Sequence, residues 1–240
     1  MRGVILAGGL GTRLYPLTNI TNKHLLPVYD QPMVAYPLET LKRSGITDIM
    51  IVCGREHAGH FMNFLGSGKE HGVKLSYALQ DKNNGGIADA LSYAEDFIDG
   101  DSVAVILGDN IFQHDFKKAV HRFASGALVA LKKVKDPRRY GVAVFSKDGK
   151  KLLCIQEKPI RPKSDFVQTG FYLFDRNIFE IIHTLKPSAR GELEITDAVN
   201  RYIEADELSF NLVQGAWFDA GTVDSLLEAA RAIHTWREKT

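Results

Sequence analysis

The chain is poor in cysteine and carries almost no net charge. Its two cysteines, Cys53 and Cys154, sit in unrelated contexts among 240 residues. That excludes a disulfide framework and suits a reducing compartment. Lysine and arginine number 30 against 29 aspartates and glutamates, a formal net charge of +1. Charge alone therefore favours neither nucleic acid nor an anionic membrane as a partner. No apolar run approaches the roughly 20 residues that span a bilayer. The N-terminus enters a strand pattern at once, with no signal-peptide pattern. A cytoplasmic protein without membrane or nucleic-acid partners is expected. Linkers, repeats and low-complexity segments are missing, and so is any evident Ser–His–Asp or Cys–His constellation.

What is present is globular: 45% hydrophobic and 25% charged residues, in a chain long enough to bury a sizeable core. Strand patterns at 3–7, 48–54, 74–79 and 102–109 alternate with helical patterns at 33–44, 57–65 and 86–97. Strands separated by single helices predict right-handed βαβ units and a parallel sheet. The unbroken apolar run VAVIL predicts a sheet covered on both faces. After residue 126 strands crowd together at 127–134, 141–145, 151–158 and 167–174, as antiparallel additions do, and DGK at 148–150 reads as a hairpin turn between two of them. Helical patterns follow at 193–205 and 222–238.

Chemistry concentrates at strand ends. GVILAGGLGTRLYPLT runs from Gly3 to Thr18 and turns a buried strand into a glycine cluster beside Arg13. A dinucleotide fingerprint would need a third glycine where Leu14 stands, and a P-loop would need Gly-Lys-Ser or Gly-Lys-Thr, which does not occur. Two readings stay open: a loop whose backbone cradles a polyphosphate with Arg13 beside it, or a tight turn with an exposed arginine. Lys23, before the apolar Leu25–Leu26–Pro27, is either a second phosphate cation or a solvated lysine. Asp109 ends the longest apolar strand, and Asp219 lies in AWFDAGT. Each is a turn aspartate or a ligand for Mg²⁺, an ion that takes one or two carboxylates plus substrate phosphates.

The segments LAGGLGTRLYPLT, NKHLLP, LGDN, YGVAVF, EKP, TGFYLFD, ARGELEITD and WFDAGT occur in that order. Together they resemble the sugar-phosphate nucleotidyltransferases, the short-chain glucose-1-phosphate thymidylyltransferases among them, from about Arg2 to Ala230. The resemblance implies a Rossmann-like three-layer α/β/α fold with a mixed, mostly parallel central sheet and a β-rich sugar-binding subregion. It implies one domain over 1–240, with nucleotide binding mainly in 1–125 and sugar-phosphate binding mainly in 126–240. The implied reaction joins dTTP, or UTP, to a sugar 1-phosphate, with Mg²⁺ as cofactor and a homodimer or homotetramer as the assembly. Leu6, Gly8, Gly9, Gly11, Thr12 and Arg13 would then surround the nucleotide, Gln80 would read the pyrimidine edge, and Gly85 would lie against the nucleoside. Lys23 and Asp109, with Tyr140, Gly141, Glu157, Lys158, Thr169, Gly170 and Arg190, would hold the sugar phosphate. Arg13, Lys23, Asp109 and Asp219 would be catalytic, and Asp109 and Asp219 would bind the metal.

That chemistry suits a chain with no evident general base. A phosphate oxygen is already anionic above its second pKa of about 6. Alignment and charge neutralisation are what it lacks. Two rivals remain: a non-catalytic regulator that senses a nucleotide-sugar on the same fold, and a nicotinamide oxidoreductase, weakened by the absent third glycine. Other residues have plainer readings. His57 and His60 lack a third ligand at metal spacing. The basic run at 131–139 reads as a solvated strand and turn, and Cys53 as a small buried residue. Trp217 is expected to order the loop that presents Asp219. His24 either touches phosphate or packs.

Overall fold

The computed structural model describes residues 1–82, 84–149 and 151–238. The strands are β1 (Arg2–Ala7), β2 (Pro27–Val28), β3 (Gln31–Pro32), β4 (Asp48–Gly54), β5 (Lys74–Gln80), β6 (Val103–Leu107), β7 (Asn110–Phe112), β8 (Ala127–Lys133), β9 (Gly141–Phe145), β10 (Leu152–Glu157), β11 (Phe166–Phe174), β12 (Leu208–Leu212) and β13 (Trp217–Asp219). The helices are α1 (Ala35–Arg43), α2 (Ala58–Leu65), α3 (Ile87–Ser92), α4 (Glu95–Ile98), α5 (Lys117–Arg122), α6 (Asn177–Thr184), α7 (Ile195–Glu204) and α8 (Val223–Arg237).

Side chains alternate across a strand, and that alternation builds three layers. Val4 and Leu6 of β1, with Val103 and Val105 of β6, enter a core roofed by α3, α6 and α7. Ile5 and Ala7, with Ala104 and Ile106, enter a second core against α1 and α2. The main sheet runs β10-β9-β11-β6-β1-β4-β5, with β8 also paired to β11 and β12 to β8. β6, β1, β4 and β5 are parallel. β11 joins antiparallel to β6, and β9 and β10 pair antiparallel beside it. From β1 the chain builds one side through β4 and β5, then crosses to β6 on the other. Open α/β sheets bind ligands beyond the carboxyl ends of the strands at such a reversal.

Several sequence expectations shift. The strand expected at 102–109 stops at Leu107, and a new strand, β7, leaves to pair with β13. The helix expected at 86–97 is two, because Ala94 N–H bonds back to the Leu91 carbonyl and closes the turn early. α5 and α6 lie outside the expected helical patterns: only Ala119 of the six residues of α5 is buried, and α6 follows β11 after Asp175 and Arg176 alone. Gly149, at φ 70°, closes a turn onto the Ser146 carbonyl where DGK predicts one. Lys150, the third residue of that motif, lies outside the described residues. Among the described residues, no helix is long and apolar enough to cross a membrane.

Candidate active site

A cleft of about 940 Å³ opens beyond the carboxyl ends of β1 and β6, and all the expected site residues except Gly85 line it. β1 and β6 lie in register, Leu6 opposite Leu107, and Gly108 N–H donates to the Leu6 carbonyl at 2.9 Å. The glycine loop and Asp109 therefore leave neighbouring strands side by side.

Gly11 holds a left-handed φ of 62°, and a Cβ there would come within 2.9 Å of Thr18. That turn aims the next three residues, a single 3₁₀ turn Thr12–Leu14, with Leu14 fully buried as its anchor. Arg13 stays 53% exposed, and its guanidinium stops 4.0 Å from Asp219. Its charge is thus available to something entering the cleft.

Lys23 reaches the cleft from another 3₁₀ turn, capped by the Asn22 side chain, which accepts from His24 N–H at 2.9 Å. Its ammonium meets Asp109 Oδ2 at 2.5 Å, and Asn110 Nδ2 donates to the other oxygen at 3.0 Å. Burial pushes the Asp109 carboxyl up, but the Lys23 charge and hydrogen bond outweigh it and hold it well below the usual carboxylate range. Asp219 sits opposite Asn110 across the β7–β13 pair, and Ala220 N–H donates to the Asp109 carbonyl at 2.9 Å. Burial and the negative Asp109 push Asp219 up, with Arg13 opposing. Like charges are being forced together, and such a pair is relieved by a cation. His24 lines the same wall and packs on Gly108, where a Cβ would sit 2.6 Å from the imidazole. Burial and then the Lys23 charge lower its pKa to about 3, so it adds no charge.

The opposite wall is β-rich. Gly141 and Glu157 lie in register on β9 and β10, and Lys158 N–H donates to the Tyr140 carbonyl at 3.0 Å. Asn110 Oδ1 accepts from Gly170 N–H at 2.9 Å and from the Trp217 indole at 2.7 Å, tying β11 and β13 to β7. Trp217 thereby fastens the start of β13, whose last residue is Asp219, while also lining the cleft.

Gly85 departs from expectation, and Thr169 and Arg190 line the cleft with their polar groups already engaged. Gly85 is not on the cleft wall: a Cβ there would lie 2.0 Å from Asp89 Oδ2, so it makes room for Asp89 behind the wall, and Gly86 lines the cleft instead. Thr169 lines the cleft, but its hydroxyl donates to the Ala130 carbonyl at 2.9 Å. Arg190 is no free cation. Glu194 takes its guanidinium at 2.8 Å through both oxygens, with Glu192 at 3.2 Å and Glu157 at 3.5 Å. Sequence reasoning missed Asn110, Gln168, Glu192, Glu194 and Thr196, which all line the cleft. Asn110 and the two glutamates sit inside quoted motifs, LGDN and ARGELEITD. Thr196 sits in the second of these too, and Gln168 directly precedes TGFYLFD, but their contact, at 2.9 Å, is made only by the fold.

Arg13 faces the cleft with its charge weakly engaged, Lys23 and Lys158 carry theirs beside Asp109 and Glu157, and two neighbouring carboxylates offer a hard cation only oxygen. The described residues form no group of three or more His, Cys, Asp or Glu able to hold a metal alone, so a cation here would take further ligands from a substrate. The buried Cys53 thiol is pushed up to about 11 by burial and is no nucleophile.

Residues 2–235 match the family model described as nucleotidyl transferase. A glucose-1-phosphate thymidylyltransferase of Neisseria meningitidis serogroup A is 45% identical over 241 residues, covering 98% of this chain and 83% of its own. A Bacillus anthracis protein solved with sucrose, described as a candidate glucose-1-phosphate thymidylyltransferase, superposes with TM-score 0.92 at 51% identity, covering 97% of this chain and 94% of its own. A UDP-glucose pyrophosphorylase solved with UDP-glucose superposes with TM-score 0.86 at 25% identity, covering 98% of each chain.

Proposed function

The chain belongs to the nucleotidyl transferase family, and on that footing we propose that it transfers a thymidylyl group from dTTP to α-D-glucose 1-phosphate, releasing pyrophosphate. The observation that carries this is the facing of two unlike walls. Arg13, Lys23, Asp109 and Asp219 line one, and polar β9–β11 ends line the other. Relatives at about 45% identity supply the substrate names.

In this reading the glycine loop and Arg13 hold the triphosphate, with Arg13 on the departing pyrophosphate. Lys23 draws the sugar phosphate beside it, and Tyr140, Gly141, Glu157, Lys158 and Gly170 orient the sugar. Gln80 meets the base. Asp109 and Asp219 would hold Mg²⁺, which fits there because Asp219 pairs opposite Asn110, next to Asp109, and the two carboxylates offer only oxygen. Bound, the ion would neutralise phosphate charge and orient the triphosphate. No general base is required, because the nucleophile is a phosphate oxygen. We carry over a cytoplasmic location, a homodimer or homotetramer, and a role supplying deoxysugar or cell-surface polysaccharide synthesis.

Pyrophosphate release from dTTP, Mg²⁺ and α-D-glucose 1-phosphate tests the reading, and EDTA should abolish it. UTP is the second donor to try, because one structural neighbour is solved with UDP-glucose. The thymine methyl contributes only ~0.8 kcal/mol when buried, so it separates the two few-fold at best. Silence with every nucleotide and sugar phosphate would favour a nucleotide-sugar sensor instead. A second expected outcome concerns pH. Turnover should fall as pH drops below about 6, where the attacking phosphate gains a proton. A flat profile down to pH 5, with the protein folded, would count against direct phosphate attack.

A further inference from the structure

Asp89 is a buried acid with no part in the reaction above, one hydrogen bond behind the cleft wall. It is 8% exposed, and its Oδ2 accepts from Gln80 Nε2 at 3.0 Å. Gln80 is itself only 5% exposed. Gly85, lacking a Cβ, leaves the Asp89 carboxylate its place.

A carboxylate accepts hydrogen bonds and does not donate them. The Gln80 amide must therefore turn its NH₂ toward Asp89, and its carbonyl points the other way. A Cβ on Gly8 would lie 2.3 Å from that Oε1. The carbonyl thus faces the first glycine of the phosphate loop, and both residues line the cleft. An unrestrained amide has two orientations, a half-turn apart, that exchange donor for acceptor.

We propose that Asp89 is a specificity-determining positioning residue: it locks Gln80 with its carbonyl toward the bound base. The site then takes a base with an N–H donor at ring position 3, as in thymine or uracil. It rejects cytosine, whose N3 is an acceptor. This rests on the reading that Gln80 meets the base. Cytosine would set acceptor against acceptor in a buried place and leave both unpaired, which costs far more than a missing contact at the surface. Asp89 touches no substrate atom and acts through Gln80.

The test is calorimetric titration of dTTP and dCTP, with Mg²⁺, into the unaltered protein, Asp89→Asn and Gln80→Ala. Asparagine keeps the shape but can donate, so Gln80 is free to turn over. The dTTP-to-dCTP affinity ratio should shrink at least about tenfold in Asp89→Asn, with dTTP weakened and dCTP not. Asp89→Ser should do the same, and replaces the first variant should that fail to fold. Equal weakening of both nucleotides would make Asp89 merely structural and overturn the proposal. A ratio lost in Gln80→Ala but kept in Asp89→Asn would overturn the lock and leave the role of Gln80 standing. A ratio unchanged in Gln80→Ala would overturn both. Binding is read apart from turnover, so failure of the pyrophosphate assay is a separate result.

Discussion

Arg13→Ala should lower turnover by ~10²–10³, as loss of a preorganised transition-state donor does, and leave the melting temperature almost unchanged. The two halves of that expectation come from one geometry. The guanidinium is 53% exposed and reaches Asp219 only at 4.0 Å. A pair that long, with its arginine half in solvent, contributes at most ~1 kcal/mol to folding. Its place matters for another reason. Leu14 anchors the turn, and Gly221 lies directly beneath, where a Cβ would come within 2.6 Å of the guanidinium. A cation held there before substrate arrives costs no reorganisation during the reaction. Arg13→Lys should recover only part of the rate, because an ammonium cannot form the planar fork that grips two phosphate oxygens. Steady-state kinetics of both variants, alongside thermal melts, decide the matter. Unchanged turnover in folded Arg13→Ala protein would remove Arg13 from the reaction.

Asp109→Ala should act on stability as strongly as Arg13→Ala acts on rate. The carboxylate and the Lys23 ammonium are 8% and 16% exposed and meet at 2.5 Å. Removing one partner of such a pair strands the other charge and costs ~3–5 kcal/mol. For a chain of this size that is a fall in melting temperature of about 6–20 °C. Adding Lys23→Ala to the variant should return part of the loss, since no charge is then stranded. The pH dependence has a definite sign. Asp109 titrates below its unfolded value, so its contribution is complete above an unfolded pKa of about 3.9 and is lost as pH falls toward the folded value. The unaltered protein should therefore lose stability on acidification more steeply than Asp109→Ala does. Equal acid slopes would show that Lys23 is not what holds Asp109 ionised.

Much of the site was legible in the chain because its residues stand at strand ends, where an apolar run stops abruptly at glycine or aspartate. Gly8 to Arg13 and Asp109 are of this kind. Asp219 was legible for the same reason, between an apolar stretch and a glycine. Arg190 and Gly85 show the limit. Arg190 lies within four residues of Glu192 and Glu194, yet only the fold brings Glu157 to the same guanidinium. Gly85 looked like a place for a ligand, and it is a place for the Asp89 side chain.

By itself the sequence determined the alternation of strand and helix, the two-faced burial of the central strands, and the set of charged groups available to a polyanion. Those follow from local pattern and from the cost of burying an unpaired polar group. Tertiary structure alone decided which charges are spent on one another and which stay available. Lys23 is 86 positions from Asp109, and Gln168 is 28 from Thr196. No local pattern encodes contacts between segments far apart in sequence that meet only when the chain folds, and those contacts set each group's protonation and reach.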